Sequence, residues 1–352
     1  MTGIGSFIPN LKQKNSDFLQ HEFFNTDGSG FPNPNEVTIE KFKAITGIEE
    51  RRYLEKDLNT SDMATVAAQK AIENAGIDPE TLDYLIVAHN YGDVKHGSVQ
   101  SDTVPSLATR VKHNLRIKNP KCVAYDVLFG CPGWIEAVIQ AQAFIKSGMA
   151  KKCLVIGAEA LSRVVDNSDR DSMIFSDGSG AAVLESSDEP GGILSHSSAT
   201  YAYQDSNHIY FGKSNRNEED VDDDDDTRYI KMNGRKIYEF ALTHVPEAMK
   251  SCLEESGKSI EDVKKVFIHQ ANEKMDEAII ARFYKQYKMK APDNIMPMSI
   301  HELGNSSVAT VPTLLDLVIT GKIKDQSLSK GDVIILTSVG AGMNINALVY
   351  EY

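Results

Sequence analysis

Three residues of this chain have side chains that could cooperate in acyl-transfer chemistry, namely Cys131, His269 and Asn305. Cys131 directly precedes a predicted helix, where unpaired backbone N–H groups and a partial positive charge favour a thiolate. His269 ends a predicted strand, at the carboxyl edge where parallel sheets tend to bind ligands. Asn305 precedes a second predicted helix, which it could also simply cap. These residue types suggest a cysteine nucleophile assisted by an imidazole and an amide.

A cysteine, a histidine and an asparagine in this order also occur in papain-like proteases. Those enzymes carry the cysteine near the mature N-terminus in a C-G-S/A-C-W/Y pattern, whereas here Cys131 lies in Phe129-Gly130-Cys131-Pro132-Gly133-Trp134, far inside the chain. The sequence context therefore disfavours a protease. The other three cysteines form no C-x-x-C pair and are predicted to be small buried residues; they are Cys122, Cys153 and Cys252.

The elements that must position these residues occur twice along the chain. In the first half a predicted helix ends at Gly76 and is followed by a strand at 85–88. In the second half a predicted helix ends at Gly257 and is followed by a strand at 266–269. Helices that alternate with short apolar strands indicate an α/β architecture with largely parallel sheets covered on both faces.

The repeat continues with a second helix and two further strands in each half. The paired strands are 153–157 with 333–336 and 179–185 with 344–351. The second helix of each half follows Cys131 or Asn305, and Pro312 is predicted in the first turns of its helix because proline is tolerated there. Cys131 and Asn305 thus occupy equivalent helix starts, and a pseudo-dyad between the halves would bring them together.

This repeat predicts an N-terminal half at 1–190, with the cysteine, and a C-terminal half at 191–352, with the histidine and the asparagine. An acidic surface insertion is predicted near 215–228, because the run from Glu218 to Asp226 holds eight acidic residues in nine positions. Such a run repels itself and is typical of a solvated loop.

Composition and charge exclude several classes of protein. The net charge is −13 and no basic patch extends over a domain, so we expect no nucleic-acid partner. No segment approaches the ~20 apolar residues that span a bilayer, so we expect no membrane insertion. The four cysteines have neither zinc-site nor disulfide-framework spacing, which favours a reducing, cytoplasmic location and no metal site.

Seven motifs, taken in order, resemble the β-ketoacyl-ACP synthase III group of the thiolase superfamily. They are Thr46–Arg52, Cys131 before a helix, Asp169-Arg170, Ser176–Leu184, His269–Asn272, Gly304–Ser307 and Gly340–Gly342. The resemblance covers nearly the whole chain. It implies the thiolase-like five-layered αβαβα fold built from two pseudo-symmetric halves, a homodimer, and a catalytic triad of Cys131, His269 and Asn305.

The resemblance also implies a reaction. Cys131 would take an acyl group from a thioester, while the backbone N–H groups of Cys131 and Ala341 hold the oxyanion. A malonyl-type thioester on acyl carrier protein would then lose CO2 while His269 and Asn305 hydrogen-bond its carbonyl, and the carbanion would attack the acyl-cysteine. The expected partners are acyl carrier protein and acyl thioesters, and no metal or organic cofactor is expected.

The substrate-entry residues depart from the family pattern. Initiating enzymes of fatty acid synthesis clasp the adenine of CoA with a tryptophan and an arginine, and those positions hold Lys41 and Ile45 here. The neighbouring Phe42 is a candidate replacement ring. Arg170 is retained, and Lys274 stands where the family has an arginine that meets acyl carrier protein. The resemblance therefore implies Arg170 and Lys274 as CoA or carrier contacts.

At about 100° per residue, Lys274 shares a helix face with Arg282 and Lys285, a basic stripe that suits an acidic carrier protein or simply faces solvent. Two related functions stay open beside the leading one: a specialised secondary-metabolite ketosynthase, of dialkylresorcinol or polyketide type, and an acyltransferase that does not decarboxylate its substrate. A non-catalytic relative would be expected to lack at least one residue of the triad. All three residues are present here, which disfavours that class.

Overall fold

The strands and helices follow one another in the alternating order that the sequence predicts. The computed structural model describes residues 1–216 and 226–352. The strands are β1 (Gly3–Phe7), β2 (Leu11–Lys14), β3 (Glu50–Tyr53), β4 (Tyr84–Ala88), β5 (Val123–Val127), β6 (Lys152–Ala160), β7 (Asp177–Glu185), β8 (Gly192–Thr200), β9 (Ile209–Gly212), β10 (Tyr229–Met232), β11 (Val263–Ile268), β12 (Val333–Gly340) and β13 (Asn344–Glu351). The α-helices are α1 (Asn35–Thr46), α2 (Thr60–Ala75), α3 (Leu107–Asn114), α4 (Gly133–Lys146), α5 (Ala202–Asp205), α6 (Gly234–Glu255), α7 (Glu273–Lys285), α8 (Ile300–Leu303) and α9 (Thr310–Ile319).

Of the acidic run from Glu218 to Asp226, only Asp226 belongs to the described residues. The predicted surface insertion near 215–228 therefore lies mostly outside them. The two short strands on either side, β9 and β10, pair with each other as an antiparallel ribbon. The position of the run in the chain, between these two strands, is the part of the prediction that can be described.

The two large sheets have the same strand order. The first is β1-β7-β6-β4-β5 and the second is β8-β13-β12-β11, so each strand of the second has a counterpart in the first. The sequence analysis expected largely parallel sheets, and this expectation was wrong. Parallel pairing is confined to β6-β4-β5 and to β11-β12, and the remaining pairs are antiparallel. For β12 and β13 the reason is the short link between them, residues 341–343, which cannot hold the crossover that parallel neighbours need.

Helices occupy three layers around the two sheets. The helices α4 and α9 pack between the sheets, where Val138 and Leu314 are completely buried. The helices α2 and α3 cover the outer face of the first sheet, and α6 and α7 cover the outer face of the second. The arrangement is the five-layered α/β fold that the resemblance implied.

Two glycines allow α9 and the turn before it to approach the first sheet. A Cβ atom at Gly180 would lie 2.7 Å from the Cβ of Pro312, and one at Gly157 would meet the carbonyl oxygen of Val308. Pro312 is the third residue of α9, as predicted from the tolerance of first turns for proline. These contacts fix the turn that carries Asn305 against the strands of the first half.

The helix boundaries follow local chemistry. The helix α2 ends at Gly76, which adopts the left-handed conformation at φ 64°, as predicted. Its N-cap is Asn59, in a capping box with Asp62. In the part of the chain that is described, no helix combines the length and the apolar character needed to cross a membrane.

Candidate active site

The three residues singled out by the sequence line one cavity of about 260 Å³. Cys131 and Asn305 enter from the starts of the two central helical segments, and His269 enters from the end of β11. The apolar part of the wall comes from the ribbon of β9 and β10 and from neighbouring segments, and comprises Leu161, Phe175, Ile209, Phe211, Ile230, Met232 and Ile237. The cavity thus has a polar end, which contains the thiol, and an apolar part.

Cys131 lies two residues before α4, with Pro132 as the N-cap. Its Sγ accepts a hydrogen bond from the Ser307 hydroxyl at 3.4 Å. Burial raises the pKa of the Cys131 thiol to about 11, although the sequence analysis expected the helix start to favour the thiolate. The main cause is desolvation, which penalises the charged form, while the hydrogen bond from Ser307 acts in the opposite direction. The remaining cysteines are buried, as predicted.

His269 directly follows β11, and its backbone amide donates to the Thr337 carbonyl. The side chain is buried, and burial lowers the pKa of the imidazole to about 4. The ring is therefore neutral at physiological pH, with one N–H donor. Its Nδ1 has no hydrogen-bond partner among the described residues.

Asn305 is held by its backbone against the first half of the chain. Its amide donates to the Ile174 carbonyl, and its carbonyl accepts from the Ser176 amide. Its side-chain Oδ1 accepts the Ser307 amide at 2.8 Å, which leaves the Nδ2 group to donate to a ligand. A 3₁₀ turn over Ser307–Ala309 runs directly into α9, so Asn305 lies two residues before a helical segment, as Cys131 does before α4.

The two backbone amides predicted to hold an oxyanion lie close together. A Cβ atom at Gly130 would be 2.7 Å from the amide nitrogen of Ala341, and one at Gly340 would meet the amide nitrogen of Cys131. The absence of side chains at both glycines lets the two segments cross. Ala341 has no positive φ, so alanine is accommodated where the family has glycine.

Sequence reasoning missed a polar network behind the thiol. The Asn90 side chain donates to Glu159 Oε2 at 2.7 Å and to Ser307 Oγ at 3.1 Å. Glu159 is fully buried, and burial raises the pKa of its carboxyl to about 7. The signal that could have found Asn90 is its position just after β4, the counterpart of β11, which carries His269.

His89, the residue before Asn90, directly follows β4, and both nitrogens of its ring make hydrogen bonds within the protein. Its Nε2 pairs with Asp126 at 2.9 Å, and its Nδ1 accepts the Gly92 amide at 3.0 Å. Both ring nitrogens are therefore used to hold the end of β4 against neighbouring segments. His89 does not line the cavity.

Arg170 and Lys274 do not line the cavity either. The Arg170 guanidinium lies 5.2 Å from the ring centre of Phe31 and pairs with Asp171. Lys274 is exposed in the first turn of α7. Phe42 is buried in a small apolar cluster, so it cannot serve as a stacking ring, and Phe31 is the aromatic ring that accompanies the retained arginine.

All three residues of the predicted basic stripe on α7 are exposed, namely Lys274, Arg282 and Lys285. The Arg282 guanidinium also donates to the Leu242 carbonyl at 3.0 Å, and this bond ties α7 to α6. The opposite, apolar face of α7 is buried through Met275, Ile279, Ile280 and Phe283.

Comparison with known proteins gives the same family along the chain. Residues 125–202 match the 3-oxoacyl-(acyl-carrier-protein) synthase III family and residues 253–352 match the C-terminal part of that family. The β-ketoacyl-(acyl-carrier-protein) synthase III 1 of Halalkalibacterium halodurans is 33% identical over 99% of this chain and 97% of the relative. The protein of that name in Vibrio vulnificus is 34% identical over 99% and 98%.

Solved structures agree. The 3-oxoacyl-(acyl-carrier-protein) synthase III of Aquifex aeolicus superimposes with a TM-score of 0.80 at 30% identity, covering 100% of this chain and 99% of that one. The priming β-ketosynthase of the R1128 polyketide pathway superimposes with a TM-score of 0.81 at 25% identity, covering 99% and 95%. The chain belongs to the 3-oxoacyl-(acyl-carrier-protein) synthase III family and is a condensing acyltransferase with a thiolase-like fold.

Proposed function

We propose that this enzyme joins an acyl group carried on Cys131 to a malonyl-type or β-ketoacyl thioester by Claisen condensation. In the first half-reaction the Cys131 sulfur attacks the acyl thioester carbonyl, and the donor thiol leaves with the proton. The backbone amides of Cys131 and Ala341 stabilise the oxyanion. The observation that carries the proposal is the shared cavity, which collects a thiol, a neutral imidazole, an amide and an apolar chamber.

In the second half-reaction His269 and Asn305 donate hydrogen bonds to the carbonyl of the incoming thioester. A malonyl group loses CO2 as its carbonyl becomes an enolate oxyanion, and the carbanion attacks the acyl-cysteine carbonyl. A carbon–carbon bond forms, and the Cys131 thiolate leaves and regains a proton. A low imidazole pKa, about 4, is compatible with this role, because the neutral ring still carries one N–H donor. These steps use only protein groups and substrates.

The apolar wall of the cavity supports an aliphatic acyl substrate. Tyr210 and Phe211 on β9 and Ile230 and Met232 on β10 line it. The buried Lys231 ammonium fixes this ribbon by pairing with Asp166 at 2.6 Å. The acyl chain of the cysteine adduct would therefore lie against the ribbon, which forms one wall of the cavity.

Acyl carrier protein is the proposed donor and acceptor partner. Relatives of this chain carry acyl carrier protein in their names, and Lys274 and Lys285 are exposed cations on α7. Arg170 and Lys274 are the proposed carrier or CoA contacts. The chain has neither the tryptophan nor the arginine of the family's adenine clasp, because Lys41 and Ile45 take their places, which favours the carrier over CoA.

A homodimer in the cytoplasm is part of the proposal. The edge strand β5 of the first sheet has no neighbour on one side among the described residues. Val123 in this strand, Leu128 just beyond it and Val104 are exposed by 47%, 66% and 84%. Pairing with β5 of a second copy would cover both the open edge and these side chains. The four cysteines are free, which suits a reducing compartment.

A specialised ketosynthase is the second candidate function. The similarity to the priming β-ketosynthase of a polyketide pathway and the replaced adenine clasp favour it. It differs from the leading function in the acyl group and the acceptor rather than in the chemistry. An acyltransferase that skips decarboxylation would use Cys131 alone and leave His269 and Asn305 without the enolate to stabilise.

Intact-protein mass spectrometry distinguishes these functions. The enzyme is incubated with matched panels of acyl-CoA and acyl-carrier thioesters, and the acyl mass that stays on the protein is read. Retention of one acyl class on Cys131, followed by its loss with a condensation product when malonyl carrier protein is added, supports the proposal. An acyl mass mapped to another residue, or transfer to the acceptor without CO2 release, contradicts it.

A further inference from the structure

A continuous set of hydrogen bonds leads from a buried carboxylate to the nucleophile. Glu159 Oε2 accepts both the backbone amide and the side-chain amide of Asn90, at 2.8 and 2.7 Å. The Asn90 amide also donates to Ser307 Oγ at 3.1 Å. The Ser307 hydroxyl in turn lies 3.4 Å from Cys131 Sγ. None of Asn90, Glu159 and Ser307 has a part in the two half-reactions described above.

The polarity of this set is fixed by its first member. Glu159 Oε2 accepts the backbone N–H of Asn90, so this oxygen is an acceptor even when Oε1 carries a proton, and it directs the NH2 side of the Asn90 amide inward. The second N–H of that amide then points to Ser307 Oγ, which must act as acceptor toward Asn90. The one hydrogen of the Ser307 hydroxyl is left for the sulfur. The sulfur of Cys131 therefore always faces a donor.

Ser307 has a strained backbone conformation. Ser307 has φ 53°, in the left-handed region that favours glycine. Its amide is held by Asn305 Oδ1. A serine kept in this conformation, almost fully buried, is consistent with a hydroxyl that is needed at the sulfur.

We propose that Ser307 is a catalytic residue that stabilises the Cys131 thiolate by hydrogen bonding, and that Asn90 and Glu159 are positioning residues that aim its hydroxyl. The inference rests on the proposed function only in taking Cys131 as the nucleophile. Asn90 cannot relay a proton between Glu159 and Ser307. Its NH2 group donates to both neighbours, and the amide nitrogen does not accept a proton in exchange. The network therefore orients a donor and is not a proton relay.

Glu159 has two opposite effects on the thiol. Its acceptor oxygen orients Asn90, whereas its negative charge disfavours a second negative charge on Cys131. The ionisable groups that act on Glu159 are His89, Cys131 and Tyr91. A glutamine at 159 keeps an acceptor oxygen and removes the charge, so it separates the two effects.

The test is the rate at which iodoacetamide alkylates Cys131 in the full-length protein, followed by intact mass from pH 6 to pH 9 and assigned by peptide mapping. Ser307→Gly removes the hydroxyl at a backbone angle that glycine adopts freely. If the pKa of Cys131 rises by about one unit, the thiolate falls tenfold and its intrinsic reactivity rises about threefold, so alkylation at pH 8 slows about threefold. Ser306→Ala, in the same turn, is the matched control and keeps the wild-type rate.

Two further variants test the positioning residues. Asn90→Leu is expected to slow alkylation, and the double variant Asn90→Leu with Ser307→Gly is expected to be no slower than Ser307→Gly alone, because Asn90 acts through Ser307. Glu159→Gln is expected to alkylate faster than the wild type above pH 7 and equally fast at pH 6, where Glu159 itself is protonated.

Wild-type alkylation of Ser307→Gly, or a separate additional loss from Asn90→Leu in that background, would overturn the inference. An unchanged rate for Glu159→Gln at every pH would contradict the effect assigned to the Glu159 charge. The proposed function is tested separately, because a wild-type enzyme that is alkylated at Cys131 but never acylated by thioesters would contradict the condensation and leave the hydroxyl donor in place.

Discussion

His269→Ala should separate the two half-reactions of the enzyme. The buried imidazole has a pKa lowered to about 4, so at pH 7 only about one ring in a thousand carries a charge. The ring can then act as a neutral donor to an enolate and needs no other charge state. Removal of one preorganised donor to a developing oxyanion costs about 10²–10³ in rate. We expect malonyl decarboxylation to fall by that factor in His269→Ala while Cys131 is still acylated.

The pH dependence of decarboxylation follows from the same pKa. The ring stays in one state, neutral with a single N–H donor, above its folded-state pKa of about 4, so the decarboxylation rate should not vary with the charge of His269 from about pH 5.5 to 8 and should respond to it only toward pH 4. An ordinary histidine would give a fall near pH 6.5. The rate is measured as CO2 release from malonyl carrier protein with the acyl-enzyme already formed.

His269→Asn supplies the conservative control. Its amide is a neutral donor at every pH in this range, so it should recover part of the activity lost in the alanine variant. Acylation of Cys131 is measured in parallel by intact mass. An equal loss of acylation and decarboxylation in His269→Ala would refute the argument and would instead assign the imidazole to activation of the thiol, as in a protease.

Three further predictions concern other parts of the chain. Cys131→Ala should abolish acyl-enzyme formation with unchanged circular dichroism, and peptide mapping of the wild-type adduct to any other cysteine would contradict the assignment. Lys274→Glu should weaken acylation from acyl carrier protein more than acylation from acyl-CoA, with an effect that shrinks as the Debye length falls from about 30 Å at 0.01 M salt to about 10 Å at 0.1 M; equal loss with both donors would speak against a carrier contact. Asp276 is fully buried, neither of its carboxyl oxygens has a hydrogen-bond partner within residues 1–216 and 226–352, and burial raises the pKa of the carboxyl, so Asp276→Leu should stabilise the fold by about 1–3 kcal/mol. The folded state holds the Asp276 proton where the unfolded state has lost it, so wild-type stability falls as the pH rises above about 4 and the advantage of leucine, measured by urea unfolding, should be larger at pH 8 than at pH 4.

The sequence predicted the elements with strong local signals. Left-handed Gly76 ends α2, apolar runs become β4 and β11, and Pro312 lies in the first turn of α9. Each of these follows from backbone sterics or from hydrophobic periodicity, which act over a few residues. The direction of strand pairing was predicted wrongly, because it depends on the length and path of the connections rather than on the strands themselves.

The residues of the site could be found from the sequence, but their surroundings could not. Cys131, His269 and Asn305 sit in recognisable motifs, whereas Asn90 and Glu159 belong to segments whose pattern indicates only the ends of buried strands. The packing of the two halves of the chain decides which polar side chains form hydrogen bonds with each other. The prediction that Phe42 could serve as a stacking ring failed for the same reason, because packing buries this side chain in an apolar cluster.

The burial of Cys131 is less harmful to catalysis than its pKa suggests. A rise from 9.0 to about 11 leaves about a hundredfold less thiolate, but a thiolate of higher pKa is also more nucleophilic, with a Brønsted coefficient of about 0.4–0.5. The net cost in attack rate is therefore about tenfold. In return the same water-poor cavity strengthens the hydrogen bonds that His269 and Asn305 donate to the enolate, since electrostatic interactions grow as the local dielectric falls. Exclusion of water therefore slows the attack of the thiol in the first half-reaction and stabilises the enolate in the second, where the carbanion must form.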